Sequence, residues 1–174
     1  KTSAYLKAFL FLFLTLALVS CNDDDDDKDD TPPAPQEVSF QVDLIKMAAL
    51  EIKDSEGDAL EIYGSVNSKL KRDNVTEENM IWSETANDNI SVGVSDYPLP
   101  ATVVYTVLEA NIDSTDLEVI VNLTELDFSN DDDPLGSDMI STPLSSITNS
   151  STFQITLNQS SGQHIQVTYS ITRL

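Results

Sequence analysis

Residues 38–44 read Val38-Ser39-Phe40-Gln41-Val42-Asp43-Leu44, in which apolar and polar side chains alternate without exception. Successive side chains of a β-strand point to opposite faces of its sheet, so this period of two predicts a strand over residues 38–45 with one buried face. Residues 165–171, near the end of the chain, alternate in the same way. The two stretches therefore predict strands that contribute to one core.

The region between these two stretches contains further runs that are rich in β-branched and aromatic residues, which strands favour. They are residues 48–52, 60–66, 90–94, 102–108, 117–123, part of 139–147, and 153–157. Asp, Asn, Ser, Gly and Pro fill the gaps, as in turns. The pattern predicts an all-β fold, a single β-sandwich of about eight strands. The polar segment 69–79 is predicted to be a long loop, with a helical turn near residues 76–78.

The N-terminal segment differs from the rest of the chain. Lys1 and Lys7 flank the start of an apolar segment, residues 8–19, which is shorter than the roughly 20 apolar residues that cross a bilayer. Its proportions are those of a secretory signal peptide. The segment ends in Leu18-Val19-Ser20-Cys21, which resembles the bacterial lipobox. The resemblance implies that residues 1–20 are a signal peptide and that Cys21 is the lipidated first residue of the mature chain.

Residues 21–36 are predicted to be a disordered tether. Seven Asp and one Lys occupy residues 22–30, and like charges at this density repel one another and resist burial. A Ser-Cys pair followed by Asp repeats also resembles the surface-export signal of Bacteroidota lipoproteins. The resemblance implies anchoring in the outer leaflet of the outer membrane through acyl chains on Cys21. An anchor that faces the periplasm is the alternative.

The predicted sandwich, residues 37–174, is strongly acidic. It contains 23 acidic and 6 basic residues, a net charge of −17. Phosphate binding requires a basic surface, so this charge excludes nucleic acid as a partner and argues against docking on anionic lipid. It favours cations, or simple solubility on a crowded cell surface.

Catalytic motifs are missing from the sequence. His164 is the one histidine and Cys21 the one cysteine, so no nucleophile stands beside a positioned base in any recognisable pattern. The sequence predicts a non-catalytic binding or accessory module with a glycan or protein ligand at the cell surface. One alternative is a glycan-binding module with exposed aromatic residues beside Trp82 or Tyr97. A second is a divergent hydrolase with two carboxylates in a cleft, and a third is an adhesin subunit whose sheet edges accept a partner strand.

One group of acids stands out at the end of the predicted strand 117–123. Glu125 and Asp127 are one residue apart, Asp133 follows six residues after Asp127, and Pro134-Leu135-Gly136 comes next. Acids at positions i and i+2 leave the same face of a strand, and a loop can return a third carboxylate toward them. Calcium takes six to eight oxygen ligands in a flexible geometry, which such a group can supply. The pattern resembles the third calcium loop of C2 domains.

That resemblance implies a C2-like sandwich, with an immunoglobulin-like one as the alternative, and a second set of acids in a loop between two early strands. The candidates there are Asp54, Asp58 and Glu61, in which Asp58 and Glu61 follow Asp54 by four and seven residues where the family has six. The predicted calcium ligands are Asp54, Asp58, Glu61, Glu125, Asp127 and Asp133. The alternative is that these acids form ordinary turns, because Asp favours turns through hydrogen bonds to its own backbone.

Overall fold

Nine antiparallel strands account for most of the described chain. The computed structural model describes residues 32–53, 57–127, 132–159 and 162–174, so Cys21 and Asp54 lie outside the described residues. The strands are β1 (Glu37–Glu51), β2 (Ala59–Arg72), β3 (Val75–Glu84), β4 (Ile90–Gly93), β5 (Tyr97–Leu108), β6 (Thr115–Glu125), β7 (Asp133–Pro143), β8 (Ser150–Leu157) and β9 (His164–Arg173). Short 3-10 helices lie at Ala86–Asp88, Glu109–Ser114 and Leu144–Ser146. No helix among these residues is both long enough and apolar enough to cross a membrane.

The strands form two sheets. The first has the order β5-β1-β9-β8, and the second has the order β3-β2-β6-β7, with β4 also paired to β2. Apolar side chains from both sheets make up one core, and residues 35–174 form a compact unit that contains all of it. The predicted all-β single sandwich is confirmed.

The alternating stretches behave as predicted. The apolar residues of 38–44 and of 165–171 are all buried, and β1 and β9 lie side by side in the first sheet. The predicted strands 38–45 and 48–52 are one strand, β1, with an irregularity between Leu44 and Lys46. Leu44 and Met47 are both buried and Ile45 is exposed, so the apolar period shifts by one residue there, as at a β-bulge.

The predicted long loop 69–79 is wrong, and so is its helical turn. β2 continues to Arg72 and β3 begins at Val75, which pairs with Arg72 across a two-residue turn. Asp73 in that turn has a φ of 51°, the left-handed conformation that tight hairpins require. Polar side chains pair across this hairpin, Lys69 opposite Glu78 among them, and most side chains of its β3 arm are exposed. A strand without a buried face has no apolar period for the sequence to reveal.

The end of β1, the start of β9, the end of β6 and the start of β7 lie at one end of the sandwich. Glu51 pairs with His164 in the first sheet, and Glu125 pairs with Asp133 in the second. Hydrogen bonds join the two sheets there, for example from the Gln159 N–H to the Leu135 carbonyl at 3.1 Å. We call this the acidic end and define it by Glu125, Asp127, Asp132 and Asp133. β1 begins at the opposite end, where Glu37 pairs with Leu108, and we call that the entry end.

Candidate metal centre

The pairing of β6 with β7 brings three predicted ligands together. Glu125 is the last residue of β6 and lies directly opposite Asp133, the first residue of β7. Opposed residues of an antiparallel pair point to the same face with their Cβ atoms about 5 Å apart. Asp127 follows two residues after Glu125, and one carboxylate oxygen from each of the three lies within 4.8 Å of the others. The spacing seen in the sequence therefore produces a real cluster.

The cluster lies at the margin of the core. Leu117, Val119, Val121 and Leu123 are the buried inner-face residues of β6, and Glu125 continues that face with 0% of its surface exposed. Burying a carboxylate is costly unless hydrogen bonds or an opposite charge compensate it. The side-chain amide of Gln163 donates one such hydrogen bond to Glu125 Oε2, at 3.0 Å.

Gln163 is a site residue that the sequence analysis missed. It lies in the β8–β9 loop, is only 5% exposed, and uses its Nε2 atom on Glu125. Its Oε1 atom is buried and accepts no hydrogen bond from the described residues. A buried amide oxygen without a donor is an unsatisfied acceptor, and amide oxygens are among the ligands of calcium.

Asp132 links Asp127 to strand β2 beside the cluster. The Tyr63 hydroxyl donates to Asp132 Oδ2 at 2.8 Å, and the Asp127 N–H donates to Asp132 Oδ1 at 3.3 Å. The hydrogen bond to the Asp132 carboxylate, with a smaller effect of burial, raises the pKa of Tyr63. Asp132 therefore ties the start of β7 to the outer face of β2, and it was not among the predicted ligands.

The two described acids of the first predicted set are not part of this group of three carboxylates. Asp58 is exposed just before β2, beside a shallow surface hollow that Ile52 and Val94 also line. Glu61 lies between the buried residues Leu60 and Ile62, so its side chain leaves the outer face of the sheet. Its backbone carbonyl accepts the Leu126 N–H at 2.7 Å. Among the described residues the structure does not group these two acids with the other three, and their role as ligands stays a prediction.

Two basic groups at this end of the sandwich contact another acid. Lys53 Nζ lies 2.8 Å from Glu51 Oε1, and His164 Nδ1 lies 3.3 Å from Glu51 Oε2. The hydrogen bond and charge of Lys53 lower the pKa of Glu51. Lys53 and His164 are therefore directed at Glu51.

The donor atoms of the cluster fit a hard cation. All three side chains of the cluster offer carboxylate oxygen, and Gln163 adds an amide oxygen nearby. Oxygens at about 2.3–2.6 Å from one calcium ion lie at most about 5 Å from each other. The observed limit of 4.8 Å satisfies that condition. Zinc, which prefers nitrogen and sulfur ligands in structural sites, fits this set less well.

Comparisons with known proteins add a likeness in fold. No protein-family model and no curated protein matches the chain. A C2 domain of plant extended synaptotagmin 1 is similar with a TM-score of 0.46 and 12% identity, over 78% of this chain and 93% of that chain. The calcium-bound pair of C2 domains of extended synaptotagmin 2 gives 0.41 and 15%, over 82% of this chain and 47% of that chain.

Human GIVD cytosolic phospholipase A2, in complex with an inhibitor and terbium chloride, gives a TM-score of 0.41 and 8% identity, over 80% of this chain and 18% of that chain. These similar structures include C2 domains. At TM-scores of 0.41–0.46, these likenesses carry no conclusion about ligands or activity.

Proposed function

We propose that this chain is a lipid-anchored lipoprotein of the cell surface whose β-sandwich binds calcium at its acidic end. In this proposal the sandwich is a non-catalytic binding or accessory module, and calcium stabilises the conformation of its acidic end. One observation carries the proposal: Glu125, Asp127 and Asp133 place carboxylate oxygens within 4.8 Å of one another.

The electrostatics of the acidic end support a bound cation. Carboxylates this close raise one another's free energy when all are ionised, and a positive charge among them removes that cost. The sandwich has a net charge of −17, so its long-range field also draws cations toward it. A divalent cation among the three carboxylates removes the repulsion at the point where it is strongest.

Gln163 gives a second observation in support of a bound cation. Its buried Oε1 atom accepts no hydrogen bond from the described residues, while its Nε2 atom already donates to Glu125. A cation needs acceptor oxygens and tolerates an amide oxygen as well as a carboxylate. Calcium fits better than magnesium because it accepts irregular geometry and more ligands.

The anchoring part of the proposal rests on the sequence around Cys21. The lipobox-like residues 18–21 and the Asp-rich segment after them support a lipidated, surface-exposed chain. The sandwich begins at Glu37, at the entry end, whereas the cluster lies at the other end of the strands. The first strand of the sandwich therefore begins at the end opposite the acidic cluster.

The alternative of a glycan-binding aromatic platform receives no support from its two candidate residues. Trp82 and Tyr97 are both partly buried and pack against the core. The alternative of a hydrolase predicts two carboxylates in a deep cleft, whereas the clustered acids lie at the loop end of the sandwich. The position of these acids at the loop end of the sandwich fits a cation site in a binding module.

Thermal unfolding of the sandwich from Pro32 onward tests the calcium site. At about 10 mM calcium, roughly a hundredfold above a Kd of about 0.1 mM, we expect a stabilisation of about 2.7 kcal/mol relative to chelator. Asp127→Asn and Asp133→Asn should each remove most of this gain. Asp138→Asn is the matched control, since Asp138 lies on β7 and its carboxylate accepts the N–H of Met139. An unfolding midpoint that calcium does not move would refute the site.

Mass spectrometry of native material tests the anchor. We expect a diacylglyceryl group on Cys21 and no residues before it. The variant Cys21→Ser should lose the acyl group and leave the membrane fraction. An unmodified thiol, or an intact leader on the mature chain, would contradict the proposed anchor and leave the calcium site unaffected.

A further inference from the structure

The edge strands of the two sheets differ in how they are protected. An edge strand exposes unpaired N–H and C=O groups, and proteins guard such edges with proline, charge, irregularity or short length. Four of the five edge strands carry such a guard: Pro98 and Pro100 on β5, Pro134 and Pro143 on β7, Glu77, Glu78 and Glu84 on β3, and a length of four residues for β4. Each of these edges is poorly suited to receive another strand.

Strand β8 carries none of these guards. It reads Ser150-Ser151-Thr152-Phe153-Gln154-Ile155-Thr156-Leu157, without a charge, a proline or a glycine. It pairs with β9 over its whole length with no shift in register. Its other side is the end of the first sheet. β8 is therefore a regular, neutral edge of eight residues.

The outer face beside this edge is neutral as well. The exposed residues Thr152, Gln154 and Thr156 lie opposite Ser170, Thr168 and Gln166 of β9. The three exposed residues of β8 form what we call the β8 patch, and neither they nor the three β9 residues opposite them carry a charge. In a sandwich with 23 acidic residues, this is a surface on which another acidic body can lie with little repulsion.

The inner face of β8 is also suited to a further strand. Ile155 and Leu157 are buried, but Phe153 is only partly buried. The ring of Phe153 stacks on Tyr169 with their centroids 5.3 Å apart. A strand paired with β8 would cover the part of Phe153 that remains exposed.

We infer that β8 pairs edge to edge with β8 of a second copy of this chain, antiparallel and about a two-fold axis. Its alternating pattern is self-complementary, because such pairing sets Thr and Gln against Thr and Gln on the outer face and Phe153 against apolar residues on the inner one. A charged partner would find no charge to complement on this patch. The β8 strand of a second copy is also uncharged and has the same alternation of polar and apolar residues.

Sedimentation velocity of the sandwich from Pro32 onward, over a wide range of concentration and in chelator, tests this pairing separately from the calcium site. We expect a monomer–dimer equilibrium. Gln154 is at the middle of β8, so Gln154→Lys places two like charges together at the axis and should weaken dimerisation by roughly tenfold or more. Gln166→Lys is the matched control: it adds the same charge to the same face, one strand away from the edge, and should leave dimerisation nearly unchanged.

A charge exchange makes the test specific to the pairing. Gln154→Glu should also weaken self-association, while a mixture of the Gln154→Lys and Gln154→Glu variants should restore a dimer. A wild-type sandwich that stays monomeric up to millimolar concentration overturns the inference. So does an equal effect of Gln154→Lys and Gln166→Lys, because the edge would then play no special part.

Discussion

Strand β6 carries two buried glutamates in different electrostatic settings. Glu118 faces outward with its side chain 8% exposed, and Lys71 Nζ lies 2.8 Å from its Oε1 atom. This contact raises the pKa of Lys71, since the carboxylate favours the ammonium form. Glu125, seven residues later, faces inward beside Asp127 and Asp133. Its carboxylate accepts a hydrogen bond from the side-chain amide of Gln163. A base lies against the first carboxylate, whereas two further acids lie beside the second.

Under the proposed function, this difference separates a carboxylate held in an ion pair from one that binds a cation. The Glu118 carboxylate joins β6 to the neighbouring strand β2 through one ion pair, and that contact leaves no excess of negative charge. The acidic end gathers three carboxylates within 4.8 Å of one another. Because their mutual repulsion grows as they ionise, this place gains most from a cation taken from solution.

The sharpest test of this contrast exchanges each glutamate for its neutral isostere. Glu125→Gln should lower the calcium affinity by about 100-fold, because it removes a ligand charge from the centre of the cluster. In chelator the same variant should unfold no more easily than the wild type, since it removes one of three repelling carboxylates. Calorimetric titration measures the first effect, and urea unfolding measures the second.

Glu118→Gln provides the control on the same strand. Its calcium affinity should equal that of the wild type, because Glu118 lies on the outer face beside Lys71. Equal losses of affinity in the two variants would mean that calcium responds only to net charge. The contrast between the two glutamates would then have no functional meaning.

A second test concerns the neutral polar pair between the sheets. Ser68 Oγ and Tyr105 Oη are 2.7 Å apart, and both residues are buried. Tyr105→Phe should lower the free energy of unfolding by about 1–2 kcal/mol, because it leaves the Ser68 hydroxyl buried without its partner. The double variant Ser68→Ala with Tyr105→Phe should recover part of this loss. Urea unfolding measures all three proteins, and a neutral Tyr105→Phe would show that Ser68 finds another partner.

The local order of the cluster could be predicted, but its long-range members could not. Glu125, Asp127 and Asp133 lie within nine residues of one another, so strand alternation and one turn were enough to bring them together. Gln163 reaches the same place from a loop 38 residues away in sequence. Its position depends on how the two sheets face each other, and no local pattern encodes that.

The strands show the same limit. Residues 38–44 and 165–171 were predictable because burial on one face imposes a period of two. The hairpin arms around Asp73 were not, because polar side chains on both faces remove the period while cross-strand pairs such as Lys69 with Glu78 still stabilise the strands. A strand with one buried face can be recognised from its apolar period, whereas a strand that pairs through polar side chains has no such period.

A third test uses Tyr169, the buried tyrosine whose hydroxyl accepts or donates no hydrogen bond among the described residues. Burial raises the pKa of Tyr169 above its ordinary value of 10.0. At a pH well below 10.0, the Tyr169 hydroxyl is neutral in both the folded and the unfolded chain. As the pH rises through 10.0, the hydroxyl ionises in the unfolded chain before it ionises in the folded one. The free energy of unfolding therefore falls. Tyr169→Phe should be neutral or stabilising by up to about 1 kcal/mol at pH 7 and should lessen the alkaline loss.

Unfolding curves between about pH 7 and pH 11 check this expectation against Tyr105→Phe. If Tyr169→Phe destabilises the sandwich at pH 7 as much as Tyr105→Phe does, then the Tyr169 hydroxyl has a partner that matters to stability. If its alkaline loss matches that of the wild type, other groups cause the loss. Tyr63 is the first such group to consider, because Asp132 also raises its pKa.

The smallest expected effect is that of Glu118→Gln on stability. The Lys71 side chain is half exposed, so water and salt screen its attraction to Glu118. The variant should lose a little stability at low ionic strength, and the loss should shrink at about 1 M salt, where the screening length is about 3 Å. Urea unfolding at the two salt concentrations measures it. A large loss that salt does not reduce would mean that solvent does not screen the Glu118–Lys71 ion pair, contrary to this expectation.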